Sequence, residues 1–221
     1  IPIEEEVRRF RAFLERWPES LATAVPRDEE QVWPPVLSAN TWRPEVAEAV
    51  LPLGVELLND MGGLPDPRNA ALCAAAGASL LIMHSVGEPK VAHFHQQWPD
   101  IMRSLTDFFA AKIALAESAG LLRESIILDP GIDFAKQRQD NLTIMSRLRE
   151  LGCFGRPVMV PVSRKTVIGE VLGLTDPNDR DAGTVACIAA AFSGGAGMVR
   201  VHNVAAAWQA LKVLSAVAHS V

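Results

Sequence analysis

An α/β fold with parallel strands is the class this sequence predicts, and three observations carry the prediction. Six short apolar runs are each followed by a helical pattern, the order expected of strand-then-helix units. The runs are near-continuously apolar rather than alternating, as in strands covered on both faces. The chain has 221 residues, 49% of them hydrophobic, which is enough for one sizeable core, so a single domain over residues 1–221 with no internal boundary is expected.

Bulk chemistry excludes several functions. A net charge of -5 with no basic stripe argues against nucleic acid, whose binding relies on clustered Lys and Arg. No apolar run reaches the roughly 18 residues of a membrane span, and the N-terminus carries no signal-peptide pattern. Cys73, Cys153 and Cys187 are widely spaced with no CxxC, which fits buried thiols in a reducing compartment, the cytoplasm by default, better than disulfides or zinc. The chain starts at Ile1 rather than at Met, which we read as a boundary inside a longer protein.

Ile3 to Trp17 reads as an amphipathic helix, with Val7, Phe10, Phe13, Leu14 and Trp17 at helical spacing and Glu4, Glu5 and Glu6 in the first turn, where the dipole favours them. Periodicity lapses from Pro18 to Pro35, and Pro26, Arg27, Asp28, Glu29, Glu30 and Pro34 mark a charged surface loop. The first strand is Val36 to Asn40, followed by a helix opening at Pro44, a residue suited to a first helical turn. Val55 to Asp60 is the second, followed by Gly62-Gly63 and an alanine-rich helix from Pro67 to Ala76. Ser79 to His84 is the third; a loop with Gly87 and Pro89 leads to a long helix, Pro99 to Ala119, whose apolar face is Ile101, Leu105, Phe108, Phe109 and Ile113. The fourth strand, Ile126 to Asp129, is stopped by Pro130-Gly131, which no central strand continues through, and a helix follows from about Asp140 to Leu151. Pro157 to Ser163 is the fifth, with helical segments at Thr166 to Leu172 and Arg180 to Ala191. Met198 to His202 is the sixth, and Val204 to Ala218 closes the chain.

Every strand ends on polar side chains: Asn40 with Thr41, Asn59 with Asp60, His84, Asp129, Ser163 with Lys165, and Arg200 with His202. In a β/α barrel those ends share one face, and in an open doubly wound sheet they line one edge; the pattern alone leaves both open. Each residue also has a plainer reading. An Asp or Asn ending a strand often fixes a turn or caps a helix, His84 and His202 could be satisfied buried histidines, and Arg164 and Lys165 solvated charges. His93 and His95 form an HxH beside no other ligand cluster, so no metal site is assigned, and Gly194-Gly195-Ala196-Gly197 reads as a turn. As a set, the residues suit a flat heteroaromatic ligand with an anionic appendage. Asp129 can accept two N–H bonds from a ring edge, and Asn59 supplies donor and acceptor. Arg200 can stack on a ring or hold an oxyanion, and Lys165 and His202 bring positive charge to a leaving anion.

The blocks SANTWRPEV, LLNDMGG, LIMHSVGEP, ILDPGIDFAK, VSRKTVIGE and VRVHNV, in this order and spacing, resemble dihydropteroate synthase over nearly the whole chain from Val36 onward. The resemblance implies a TIM-type (β/α)8 barrel of which the chain holds six units, the family's strands 3 to 8. It implies condensation of para-aminobenzoate with 6-hydroxymethyl-dihydropterin pyrophosphate in folate biosynthesis, with Mg2+ accompanying the pyrophosphate and a homodimer formed through the last helices. By position, Lys165, Arg200 and Asn40 would be catalytic and Asn59 and Asp129 would grip the pterin edge. Phe134 and Ser163 would contact the aminobenzoate and His202 the pyrophosphate.

The sequence departs from that pattern at several places. Asn40 stands where the family has a carboxylate opposite the cationic pterin methylene. Asp133 and Ala135 stand where it has glycines, and Asp133 would disfavour an anionic aminobenzoate if it faced the pocket. The family's first two strands have no counterpart before Ile1, and six strands cannot close an eight-stranded barrel. Two other readings therefore stay open: a catalytically impaired pterin-binding paralogue serving as a partner or regulatory module, and a methyltetrahydrofolate-dependent methyltransferase, which the SRK and RVH blocks argue against.

Overall fold

The computed structural model describes residues 1–26, 33–87, 91, 93 and 95–220; Arg27, Asp28, Glu29 and Glu30 of the expected loop, and Pro89 of the later one, lie outside the described residues. The chain forms two compact units, Ile1–Met83 with Lys112–Ile126, and His84–Ala111 with Ile127–Val221.

The first unit carries helices α1 (Ile3–Leu14), α2 (Trp17–Thr23), α3 (Pro44–Val50) and α4 (Arg68–Ala76) around strands β1 (Ser38–Asn40), β2 (Leu57–Asp60) and β3 (Ser79–Met83). Both ladders are parallel, with Asn40 opposite Asn59 and Asp60 opposite Ile82. Leu80, Leu81 and Ile82 are fully buried, which is why this strand reads as an unbroken apolar run. Pro44 sits in the first turn of α3, where its missing N–H costs nothing, and the helix buries Val46, Ala47 and Val50.

The second unit begins helix α5 (Ile101–Ser118) and contains most of β4 (Ile126–Asp129), then α6 (Arg138–Ser146), β5 (Met159–Val160), α7 (Thr166–Leu172), α8 (Asp181–Ser193), β6 (Met198–Val199) and α9 (Val204–Ala218). β5 and β6 pair in parallel, and β4 meets the start of β5 through a bridge between Leu128 and Val158. Among the described residues, no helix is long and apolar enough to cross a membrane.

Several expectations need correction. The stretch after Trp17 is not all loop: Pro18 lies in the first turn of α2, a position proline tolerates. Phe13 is not on a buried face; it is 55% exposed and stacks on Trp17 at 5.9 Å, leaving Leu14 as the buried residue of α1. The helix expected to reach Leu151 ends at Ser146 and passes into a 3-10 segment, Leu148–Phe154. Of the cysteines, only Cys73 is buried; Cys187 is half-buried and Cys153 exposed, and all three are free.

Candidate active site

β4 is buried along its whole length and delivers Asp129 as its last residue. Gly131 then turns the chain with φ +67°, and a Cβ there would lie 2.2 Å from the His84 carbonyl oxygen, so only glycine lets the two segments approach this closely. The Gly131 N–H donates to Asp129 Oδ1 at 2.7 Å, and the His84 N–H donates to the Asp129 carbonyl at 2.8 Å. With 3% of its surface exposed, Asp129 is pushed up to about 6 by burial, against the pull of the Gly131 N–H and of the charges on Lys165, Lys136 and Arg200.

Of those charges, Lys165 follows β5 and Arg200 follows β6, and both line one pocket. Lys165 directs its Nζ to the Ile132 carbonyl at 2.9 Å and lies 4.7 Å over the Phe134 ring, and burial holds its ammonium below the usual lysine value. Ser163 Oγ accepts the His202 backbone N–H at 3.0 Å and meets His202 Nδ1 at 2.7 Å. The hydroxyl can donate to a neutral Nδ1 or accept from a protonated one, so the contact ties the imidazole to Ser163 in either tautomer. A pocket of about 200 Å³ is lined by Pro161, Ser163, Lys165, Arg200, Val201 and His202. Asp129, Phe134, Ser163, Lys165, Arg200 and His202 thus all lie in the second unit.

The loop after Gly131 is built differently from expectation. Asp133 does not present a carboxylate to the pocket: it accepts from the N–H groups of Thr166 and Val167 at the start of α7 and from Asn141 Nδ2, while its own N–H donates to Asn141 Oδ1. Arg164 is no solvated charge either, pairing with Asp181 at 2.7 Å and with Asn178. His84, 2% exposed, is the buried histidine of the plainer reading, packed against the Trp98, Phe108 and Phe109 rings. Burial and the neighbouring Lys136 bring its pKa down to about 3.

Asn40 and Asn59 lie in the first unit, directly paired across β1 and β2. Asn40 is exposed, whereas Asn59 is 8% exposed and its Oδ1 is buried with no partner among the described residues. An orphaned acceptor costs about 1–3 kcal/mol, so it marks a place where a ligand N–H would be welcomed. Beside it Asp60 is structural: its carboxylate accepts from Gly62 N–H and Asn69 Nδ2, and Asn69 Nδ2 also reaches the Trp42 carbonyl.

Two features escaped the sequence reading. Asn69 gives no hint from its helical position that it fastens Asp60. Lys136 lies inside the ILDPGIDFAK block, yet nothing in its spacing announces that its ammonium folds inward to the His84 ring at 3.0 Å. No group of three or more His, Cys, Asp or Glu fit to hold a metal occurs among the described residues.

Comparison with known proteins adds the following. The family model described as "Pterin binding enzyme" matches residues 3–202. A dihydropteroate synthase from Synechocystis sp. is 40% identical over 181 residues, 81% of this chain and 63% of its own, so the chain spans less than two thirds of that relative's length. "Inactive dihydropteroate synthase 2" of Mycobacterium bovis is 32% identical over 222 residues, covering 98% of this chain and 66% of its own. Among solved structures, the dihydropteroate synthase from Xanthomonas albilineans in complex with 7,8-dihydropteroate matches with a TM-score of 0.86 at 33% identity, covering 100% of this chain and 76% of that one.

Proposed function

The chain belongs to the pterin-binding enzyme family, among its dihydropteroate synthases, and from that premise we propose that the protein condenses para-aminobenzoate with 6-hydroxymethyl-dihydropterin pyrophosphate, giving dihydropteroate and pyrophosphate. Its fold class is the TIM-type β/α barrel of those relatives, with six strand-then-helix units in this chain. The observation that carries the functional reading is the second unit's cluster, in which a buried carboxylate, an aromatic ring under a lysine, and a cationic pocket adjoin one another.

In this reading Asp129 accepts N–H bonds from the pterin edge, the role that the family resemblance implies for it. Lys165 and Arg200 frame the ring, and Arg200 with the His202 imidazole holds the pyrophosphate. The C–O bond at the pterin methylene breaks, the electron pair leaves with the pyrophosphate, and positive character builds on the methylene. The aminobenzoate nitrogen, placed by Phe134 and Ser163, forms the new C–N bond and releases its proton to solvent. Magnesium, which the family resemblance ties to pyrophosphate, finds no ligand cluster among the described residues, and the pocket lining is cationic rather than carboxylate; no step runs through it. Cytoplasmic location and homodimerisation belong to the same proposal.

Asn40 supports a second reading, a pterin-binding protein with little turnover, because a neutral amide cannot offset the methylene's positive charge. The likeness to an inactive mycobacterial relative supports it as well. Both are tested on the full-length protein by pterin calorimetry and by assay of dihydropteroate formation. We expect pterin binding that Asp129→Ala abolishes, and turnover that Asn40→Asp raises at least tenfold, about 1.4 kcal/mol of transition-state stabilisation. Absence of pterin affinity sinks both readings; affinity without turnover in either protein leaves the second.

A further inference from the structure

The stretch 130–137 adopts a backbone that its own sequence disfavours. Gly131, Asp133 and Ala135 all have positive φ, at 67°, 67° and 51°, and for the last two a side chain makes that region unfavourable. Such a conformation persists only where neighbours over-determine it. Asp133 provides its own restraint through α7 and Asn141. Ala135 has no group to do so, and two donors from elsewhere hold the peptides around it: Trp98 Nε1–H to the Ala135 carbonyl at 2.8 Å, and Lys136 Nζ to the Phe134 carbonyl at 3.0 Å.

Lys136 is 9% exposed, an unusual place for an ammonium unless acceptors surround it. Its Nζ lies 3.0 Å from His84 Nδ1 and 3.5 Å from the His84 carbonyl, and would stand 3.2 Å from a Cβ on Gly131. Three N–H bonds and three acceptors therefore converge at one point. The Phe134 carbonyl is one of them, and its ring is the one beneath Lys165. From this convergence we propose that Lys136 is a positioning residue: by fastening the Phe134 carbonyl to His84 it sets where the Phe134 ring stands, and so shapes the aminobenzoate end of the pocket without touching substrate. The identity of that ligand rests on the function proposed above; the loop geometry does not.

The charged and titratable groups facing Lys136 are Asp129 on β4, Asp140 on α6, Lys165 ahead of α7, Asp133 in the loop, and His84. Burial brings its ammonium down to about 7, with the three carboxylates pulling up and Lys165 pushing down. Above that pH the neutral amine has two N–H bonds for three acceptors, and the loop loosens.

The test is amide hydrogen exchange in the full-length protein at Gly131, Asp133 and Phe134, whose N–H groups bond Asp129 Oδ1, Asn141 Oδ1 and the Gly131 carbonyl. Lys136→Met is expected to speed exchange at these amides at least tenfold at pH 6 with the Leu128 amide unchanged, and Lys136→Arg to restore it within threefold of wild type. Should Lys136→Met fail to fold, the wild-type series decides: protection of the three amides, corrected for intrinsic rates, falls at least threefold from pH 6 to 8.5. Constant protection overturns the proposal. In calorimetry, Lys136→Met is expected to weaken pteroic acid at least tenfold and 6-hydroxymethylpterin less than threefold. Equal losses mean a merely structural lysine and overturn the positioning role. Wild-type protein that binds neither compound overturns the functional reading and the aminobenzoate role with it, while the exchange result still decides whether Lys136 fixes the loop.

Discussion

A carboxylate that must accept N–H bonds from a ligand works only when ionised, and Asp129 is placed where ionisation is hardest. Its raised value of about 6 reflects burial that the Gly131 N–H and three nearby cations do not fully offset. The proton is therefore held by the ligand-free protein at mildly acid pH, and under the proposed function pterin binding would have to displace it. As pH falls below about 6, pterin affinity should drop roughly tenfold per unit, and above about 7 it should be flat. Asp129→Asn should bind weakly at every pH with no such slope; calorimetry from pH 5 to 8 checks both, and a slope that survives in the variant would assign the titration to another group. Asp129 was legible in the sequence because a strand stopped by Pro-Gly has to put its last side chain at the strand's end. Lys136, five residues after Gly131, was not, because a long flexible stem can place its charge inward or outward with no trace in residue spacing.

At the scale of elements, the loop between β4 and α6 shows how sequence and geometry part. Strand ends and helix caps follow local rules, so β4, α7 and α9 have the bounds that pattern and breakers predict, and Pro44 opens α3. Loop 130–137 follows none: Asp133 and Ala135 occupy left-handed positions where glycine would be natural, and only tertiary donors explain them. The same blindness hid α2, since a proline read as a breaker serves equally in a first turn. Asp133 likewise turns its carboxylate to the first N–H groups of α7 and to Asn141 rather than into the pocket, an orientation its spacing does not reveal. If Ala135 is held against its preference, relieving it should stabilise the protein. Ala135→Gly trades about 1–3 kcal/mol of strain against roughly 0.4–1 kcal/mol of added chain entropy. The expected net is about 1 kcal/mol, a rise in Tm of about 2–4 °C. A lower Tm in calorimetric scans would mean that the loop is not strained.

For the molecule as a whole, a charge of -5 repels anions at a distance, so capture of the proposed aminobenzoate and pyrophosphate would depend on the local cations Lys165 and Arg200 rather than on the overall field. The distribution of apolar surface also bears on self-association. α9 buries Ala207, and residues four apart lie only about 40° apart around a helix, so Val204 with Trp208 and Val213 with Val217 form two apolar edges on either side of the buried stripe. Trp208 is 37% exposed with Lys212 Nζ 5.6 Å over its ring, so that edge already carries charge. Val213 and Val217 are each 64% exposed, so this edge is the more apolar of the two and the one open to a partner. The proposed homodimer should therefore use this second edge. Sedimentation equilibrium of the full-length protein is expected to give a dimer at micromolar concentration, and Val213→Glu combined with Val217→Glu a monomer with an unchanged circular dichroism spectrum, because two like charges facing their symmetry mates without partners disfavour association. A wild-type monomer, or a double variant that still dimerises, would remove α9 from any interface.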